Sequence, residues 1–452
     1  MIKIKPQNPK GVRDYLPQEN RRREYIIHIL RNQFERFGFQ SIYTPVFERL
    51  ETLQGKYGDE GDKLLFKILN SGEYISETAK EILSKESIPY GRLTSEISSK
   101  GLRYDHTVPL ARFVSQHQNE LTFPFKRYVI APVWRADRPQ KGRYQEFYQC
   151  DVDVVGSKGL VSDVEMVSLI DTVFQELKLK VEIKINNRKI YNGICQIIGI
   201  EDRLQTTVST ILDKWDKIGD EKLQEELTNC IGLEKTNQII EWVSIKTLND
   251  LEARSKNTNE LFQKGMEELK YIFQYAHSKN ITLDLKLLRG LDYYTGTVLE
   301  VVSQEVKMGS ILGGGRYDNL TELFGLKDMS GIGVSFGLDR IYDVMTELHR
   351  FPEEKTEKKI LILYLHEPAL EQYYSLLTQI RRENIAVDLY PALSKIDKQL
   401  NYADKSGYTH AIIIGEEEWN KQSVQFKDLQ KRKQQSIPIN ELISTIHTNQ
   451  EF

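Results

Sequence analysis

Three sets of residues in this 452-residue sequence have types and spacings that could do chemistry. The first lies on a strand predicted over 145–155, where alternate residues share a face. Tyr148, Cys150, Val152 and Val154 point into a core, while Gln149, Asp151 and Asp153 point the other way. Polar groups on so apolar a strand carry a free-energy cost unless something binds there. The second set is Arg103, Asp105 and Thr107 of RYDHT, on one face of a short strand predicted over 102–107. Two such faces in one sheet would form a floor with paired carboxylates, suited to a ligand bearing an amine or imidazole. The third set is cationic. Arg135 stands at the mouth of the hairpin made by strands 127–135 and 145–155, and Arg138, Lys141 and Arg143 lie in its loop. Hairpin loops usually need two to five residues and this one has about nine, which suggests a lid over an anion. The same features also suit a solvated surface hairpin and a solvated edge strand.

The elements that must position these groups follow from periodicity and punctuation. Residues 18–37 predict a helix, with Ile26, Ile29, Leu30, Phe34 and Phe37 at three- and four-residue spacing, Pro17 before it and Gly38 after it. Residues 39–47 then read as a strand. Pro132 fits an edge or a bulge better than a central ladder. A helix over 162–177 and a strand over 181–185 precede a largely polar helical stretch, 186–278, which looks like an insertion. Strands return from 283 to 302, a stretch that contains RGLDYY (289–294); three successive glycines, Gly313–Gly315, suggest backbone packed against a ligand or a neighbour. GIGVSFGLDR (331–340) fails as a dinucleotide fingerprint, because its spacing is GxGxxxG and its first glycines precede the apolar strand. It reads better as a strand, 332–336, running into a helix from about 338. Arg340 then falls in the first helical turn, where a cation opposes the macrodipole. A nearby anion would explain it, as would a surface carboxylate partner. The charged stretch 352–359 marks a boundary. After it strands and helices alternate: strands at 360–365, 385–390, 410–414 and 424–426, helices at 371–382, 395–405 and 439–446. This predicts a compact α/β domain of about 100 residues.

Composition bounds the remaining possibilities. The chain is 40% hydrophobic and 28% charged with net charge −3, ordinary for a soluble globular protein. No apolar run approaches the roughly 20 residues that span a membrane. The first residues lack a secretory pattern, and the three cysteines, Cys150, Cys195 and Cys230, form no CxxC pair. A reducing, cytoplasmic setting is expected. There is no HxxxH or HExxH spacing and no GxxxxGK[ST], so histidine-held metal and P-loop chemistries are not indicated. Without a basic excess, any nucleic-acid contact must use a local patch.

Taken together, these pieces resemble the class II aminoacyl-tRNA synthetases, and within them the histidyl-tRNA synthetase family, over almost the whole chain. The helix and strand ending at Pro45 resemble the family's dimer-forming motif, VWRADRPQKGRYQEFYQCDVDVVG its ATP-binding hairpin, and GIGVSFGLDR its third motif. RYDHT, RGLDYY and GGGRYD (313–318) point to histidine, and NYADKSGYTHAIIIGEEE resembles part of the anticodon-binding domain.

The resemblance implies an α+β fold, an antiparallel catalytic sheet flanked by helices. It implies a catalytic domain over 1–350 that includes the insertion 186–278, a linker at 351–359 and an anticodon-binding domain over 360–452. The implied activity is ATP-dependent activation of L-histidine followed by transfer to histidine tRNA, by a homodimer. ATP is implied as substrate, accompanied by Mg²⁺, with no metal held by the protein alone. Position by position, the resemblance implies that Arg135 holds the ATP α-phosphate and the amino-acid carboxylate, with Arg289 across the same phosphate. Arg340 would hold the γ-phosphate and Arg143 would touch the phosphates from the lid. Asp105, Thr107 and Gln149 would bind the α-amino group. Asp153 and Tyr294 would read the imidazole, with Tyr293 beside them, and His106 belongs to the same histidine-binding set. Some members carry glutamate where this chain has Asp105 and Asp153, so charge is kept but reach is shorter. A synthetase-like regulatory protein, a class II enzyme for another amino acid and a ligase that uses no tRNA are the competing readings. ATP–pyrophosphate exchange separates the first two from the favoured reading, and tRNA binding by the last domain the third.

Overall fold

Alternation along one strand divides the first part of the molecule into an apolar layer and a polar surface. A computed structural model describes residues 5–54, 58–140, 142–255, 258–288, 294–353 and 359–448. Its contacts divide the chain into two compact units, Met1–Phe351 and Pro352–Phe452. In the first unit, eight strands form one sheet in the order Gln40–Ser41, Phe125–Trp134, Glu146–Val155, Gly331–Gly337, Leu312–Tyr317, Thr297–Ser303, Val181–Asn187 and Ile281–Leu283. All ladders are antiparallel except the outermost pair at each edge.

Cys150, Val152 and Val154 face a core shared with Ile26, Leu30 and Phe34 of helix Pro17–Arg36, Val173 and Phe174 of helix Val161–Glu176, and Ile341 of helix Leu338–Glu347. Phe34 packs at 5.6 Å from Tyr128 and 5.5 Å from Phe336, ring to ring. Burial of each such side chain contributes about 1.5–3 kcal/mol. The helices therefore cover one face of the sheet and leave the other, with Gln149, Asp151 and Asp153, for the cavity. The first helix starts with Pro17 in its first turn and Glu19 accepting from the Leu16 N–H at 2.8 Å. It stops at Gly38, which takes the left-handed conformation (φ 80°) that favours glycine.

Two sequence expectations are corrected. The strand expected over 39–47 divides: Gln40–Ser41 pairs in the large sheet, and Phe47–Arg49 joins a separate three-stranded sheet with Lys100–Leu102 and Lys67–Ile68. The intervening turn carries Pro45, which cannot donate to a ladder. The strand expected over 102–107 ends at Leu102, and Thr107 opens helix Thr107–Gln116. Asp105 is the cause: its Oδ1 accepts from the backbone N–H groups of Thr107 (3.1 Å) and Val108 (3.2 Å), capping the helix instead of lining a strand. Pro132 sits in the Phe125–Trp134 strand where only one side is laddered, because Gln40–Ser41 reaches no further than Tyr128.

Between strands Val181–Asn187 and Ile281–Leu283 the chain runs through helices from Arg188–Ile198 to Glu260–Tyr275. Those two helices cross at glycines: a Cβ on Gly193 would lie 2.7 Å from the Phe262 Cβ, and one on Gly265 2.7 Å from Ile190. In the second unit, strands Ala386–Leu389, Lys359–Ile362 and His410–Ile413 are parallel, and Ser423–Asp428 and Lys433–Pro438 continue the sheet antiparallel. Ile360 and Ile362 pack to one side of it, Leu361 and Leu363 to the other, as expected of strands covered on both faces. Lys433–Pro438, an edge strand with only Ile437 buried, has no sequence signal beyond that single apolar residue.

Candidate active site

The polar face of the large sheet floors a cavity of about 400 Å³. Asp105, Thr107, Arg135, Arg143, Gln149, Asp153, Tyr294 and Arg340 all line it. Asp105 and Thr107 reach it from the loop and the first turn of the helix that Asp105 caps, not from a strand. Arg289 and Tyr293 lie outside the described residues. His106 is not among the lining residues: it is buried, with Nε2 3.1 Å from the Ala131 carbonyl. Burial, with Arg103, Arg127 and Arg135 nearby, pushes its imidazole well below the usual value and keeps it neutral.

Ladder register determines the partners of the floor carboxylates. Asp153 lies opposite Arg127 on one side and Gly333 on the other. The Arg127 guanidinium pairs with Asp153 Oδ2 at 2.6 Å, and the Tyr317 hydroxyl donates to Oδ1 at 2.9 Å. Burial raises the Asp153 carboxyl above its ordinary range, against the pull of Arg127 and Tyr317. Asp151 lies between Val129 and Ser335. Burial pushes its carboxyl up to about 7, Arg127 opposing and Asp153 adding to the rise. Its Oδ1 and the Oε1 of Gln149 have no hydrogen-bond partner among the described residues, while Gln149 Nε2 donates to Ser335 Oγ at 3.1 Å. Unpartnered buried acceptors on a cavity floor point to a ligand with N–H groups.

The cationic end is built from the hairpin and the third motif. Arg135 donates from Nε to the Tyr104 carbonyl (3.1 Å) and lies 4.2 Å from the Tyr104 ring centre and 5.2 Å from that of Phe147. Stacking of this kind holds the planar guanidinium in one orientation. Arg340 donates from Nε to the Gly142 carbonyl in the lid loop (3.1 Å) and from Nη1 to Ser310 O (2.5 Å). Arg143 is exposed, 3.7 Å from Asp137. Beside Arg340, Asp339 is buried and accepts from Tyr148 N (3.0 Å), Tyr15 OH (2.8 Å), Arg13 (3.0 Å) and Arg23. Burial alone would raise this carboxyl, but Arg23 and the other donors hold it below its ordinary range.

Glycine explains how the strands come close enough. A Cβ on Gly333 would overlap the Asp153 carboxylate, and one on Gly315 would lie 2.9 Å from the Tyr294 ring and 2.6 Å from the Thr297 carbonyl. Among the described residues, no three histidine, cysteine, aspartate or glutamate side chains converge as a metal site. Sequence reasoning gave no role to Asp151, Arg127, Tyr317, Gly333 or Asp339. Asp151 belonged to the polar row and was within reach; Arg127, Tyr317 and Gly333 required the register.

Comparison with known proteins agrees along the whole length. The sequence model described as histidyl-tRNA synthetase matches residues 11–77 and 92–341, and the anticodon-binding domain model matches 359–449. A histidine–tRNA ligase from Christiangramia forsetii is 48% identical over 451 residues, spanning 97% of this chain and 98% of that protein. One from Porphyromonas gingivalis is 46% identical over 446 residues, 96% and 97% of the two chains. The crystal structure of histidyl-tRNA synthetase from a Nostoc species superposes with a TM-score of 0.79 at 30% identity, covering 99% of this chain and 100% of that one. With a floor of carboxylates, arginines at the other end, and relatives alike from end to end, the chain belongs to the histidyl-tRNA synthetase family.

Proposed function

We infer that the chain is a histidine–tRNA ligase. It joins L-histidine to ATP as histidyl-adenylate, releasing diphosphate. It then transfers the acyl group to the 3′-terminal ribose of histidine tRNA, releasing AMP. The observation that carries this reading is one cavity holding buried carboxyls at Asp151 and Asp153 together with Arg135 and Arg340. Such a cavity suits a zwitterion with a basic ring on one side and a polyphosphate on the other.

In the first step a histidine carboxylate oxygen bonds to the α-phosphorus and the bond to diphosphate breaks. No enzyme nucleophile is needed. Two anions must be held in line, and charge growing on the phosphoryl oxygens must be met by donors already in place. Arg135 is assigned to the α-phosphate and the amino-acid carboxylate, Arg289 to the opposite side of that phosphate, Arg340 to the γ-phosphate and Arg143 to the phosphates from the lid. Asp105, Thr107 and Gln149 are assigned to the α-amino group. Asp153 and Tyr294 take the ring with Tyr293, and His106 supports the pocket from behind through the Ala131 carbonyl. In the second step the terminal ribose hydroxyl attacks the acyl carbon and AMP leaves. Mg²⁺ would enter as the ATP complex, neutralising phosphate charge.

Residues 1–350, with their insertion 186–278, are assigned to catalysis. Residues 360–452 are assigned to the tRNA anticodon, with 351–359 as linker. A homodimer contact is assigned to helix Pro17–Arg36 and the segment after it, where Tyr43 is 67% exposed and Phe47 49%. Three free thiols fit a reducing cytoplasm. The test is ATP–pyrophosphate exchange with each of the twenty amino acids, followed by charging of histidine tRNA. Exchange with histidine alone, and charging of that tRNA, is expected. Exchange with a different amino acid, or none with histidine, would overturn the reading.

A further inference from the structure

Tyr294 stands beyond the end of its own strand. The ladder of Thr297–Ser303 stops at Thr297, opposite Asn187, and backbone past a last ladder pair opens easily. Yet Tyr294 lines the cavity, and a residue that reads a ligand must be in place before the ligand arrives. Two backbone bonds carry the order slightly further: Arg188 N donates to the Gly296 carbonyl and Thr295 N to the Arg316 carbonyl, both at 2.8 Å. The Tyr294 ring itself packs over Gly315, on the strand next to its own.

A carboxylate outside the cavity fixes this segment. The Thr295 hydroxyl donates to Asp318 Oδ2 at 2.6 Å and lies 3.4 Å from the Arg316 carbonyl. Asp318 Oδ1 accepts from the Ser330 hydroxyl at 2.6 Å. Ser330 Oγ accepts in turn from Arg316 Nη1 at 2.8 Å, and the Arg316 guanidinium pairs with Asp163, buried on helix Val161–Glu176. A chain of hydrogen bonds thus runs from that helix to the residue beside Tyr294. Burial alone would raise the Asp318 carboxyl, but Ser330, Thr295 and Arg316 hold it below its ordinary range. It is therefore ionised near neutrality, and bonds to an ionised acceptor are roughly twice as strong as neutral ones. Neither Asp318 nor Thr295 lines the cavity, so any effect of this pair on a ligand passes through Tyr294.

We propose that Asp318 is a positioning residue for recognition of the amino-acid ring: by holding the Thr295 hydroxyl it fixes Tyr294 over Gly315, in the place from which Tyr294 meets the ligand. This rests on histidine being the substrate and on Tyr294 reading its ring, as proposed above. A carboxylate that served the sheet alone would affect histidine and ATP alike, and its loss would cost the same whether or not Tyr294 had a hydroxyl to place.

The experiment is pyrophosphate exchange with histidine and ATP varied in turn. Thr295→Val keeps the shape of the side chain and removes the hydroxyl. Asp318 is only partly buried, so water can take the vacated place and the variant is expected to fold. Its histidine KM should rise about tenfold, as for loss of a hydrogen bond to a charged group, while the ATP KM stays within about twofold. Thr295→Ser retains the hydroxyl and should stay close to the unaltered enzyme. Asp318→Asn should raise the histidine KM in the same direction, and adding Thr295→Val to it should change little more. In a Tyr294→Phe background, which has no ring-reading hydroxyl to place, Thr295→Val should add less than about twofold. The full cost persisting in that background, or equal rises in the histidine and ATP KM, would overturn the proposal while leaving histidine activation intact. Absence of histidine-dependent exchange in the unaltered enzyme would instead remove the function, and the proposal with it.

Discussion

Gly333 has no side chain, and the floor of the site depends on that. Its hydrogen atom occupies the place where a Cβ would overlap the Asp153 carboxylate, which must stay on Arg127 and Tyr317. Gly333→Ala is predicted to displace Asp153, weakening histidine binding at least tenfold more than ATP binding, with a stability loss of about 1–3 kcal/mol. Calorimetric titrations with each ligand check it, and equal losses would show that the alanine acts on the whole sheet instead. Asp151 makes a second prediction. Its carboxyl is raised to about 7 in the folded chain, against about 3.9 when unfolded. What it contributes is fully present below the unfolded value and is lost as pH rises through the folded one. Asp151→Asn removes that loss and is therefore predicted to stabilise the ligand-free protein more at pH 8 than at pH 5, by on the order of a few kcal/mol. Thermal unfolding at the two pH values measures this, and a gain independent of pH would contradict it. The polar row was legible because strand alternation is local. Arg127 and Tyr317 were not, because one residue of register decides whether they meet Asp153 or miss it.

The hairpin over the cavity is tied down by a segment that precedes the first helix. The Gly11 carbonyl accepts from Gln145 N at 2.8 Å. Arg13 donates to the Tyr144 hydroxyl and to Asp339, both at 3.0 Å. Asp339 in turn accepts from Tyr148 N, and its neighbour Arg340 holds the Gly142 carbonyl in the lid loop. One end of the chain thus braces the hairpin against the helix that carries Arg340. Arg13→Ala is predicted to raise the ATP KM about five- to tenfold through loss of charged hydrogen bonds, with the histidine KM little changed. Pyrophosphate exchange with each substrate varied in turn separates the two effects; a matching rise for histidine would make Arg13 a general support of the fold. The hairpin, the first helix and the strand running into Arg340's helix could be read from periodicity and punctuation. The brace could not, since nothing local in residues 11–15 signals a partner more than 300 residues away. Residues 102–107 were misread for another reason: three polar residues alternate there as on a strand, yet Asp105 turns back to cap the following helix, and side-chain caps compete directly with ladders.

Two units with separate cores imply two separable activities. The second unit buries Ile360, Ile362, Tyr373, Ile412 and Phe426 in a cluster that draws only on residues of its own, and it has the size of an ordinary independent domain. Its alternating strands and helices made it legible, whereas the helices after Val181–Asn187 gave only weaker stripes, because those between Arg188–Ile198 and Glu260–Tyr275 bury four residues each at most. All the described residues that line the cavity belong to the first unit. Residues 352–452 alone are therefore predicted to unfold cooperatively. Residues 1–351 alone should keep histidine-dependent pyrophosphate exchange within a fewfold of the whole chain. Charging of tRNA should suffer far more. Removing one of two linked binding sites forfeits the effective concentration that linkage provides, worth about 10²-fold or more in apparent affinity. The kcat/KM for tRNA should fall by about that factor, and adding 352–452 in trans should restore little of it. Exchange lost along with charging, in a fragment whose circular dichroism is native, would place part of the chemistry in the second unit. Charging left unchanged would mean that the second unit does not hold the tRNA.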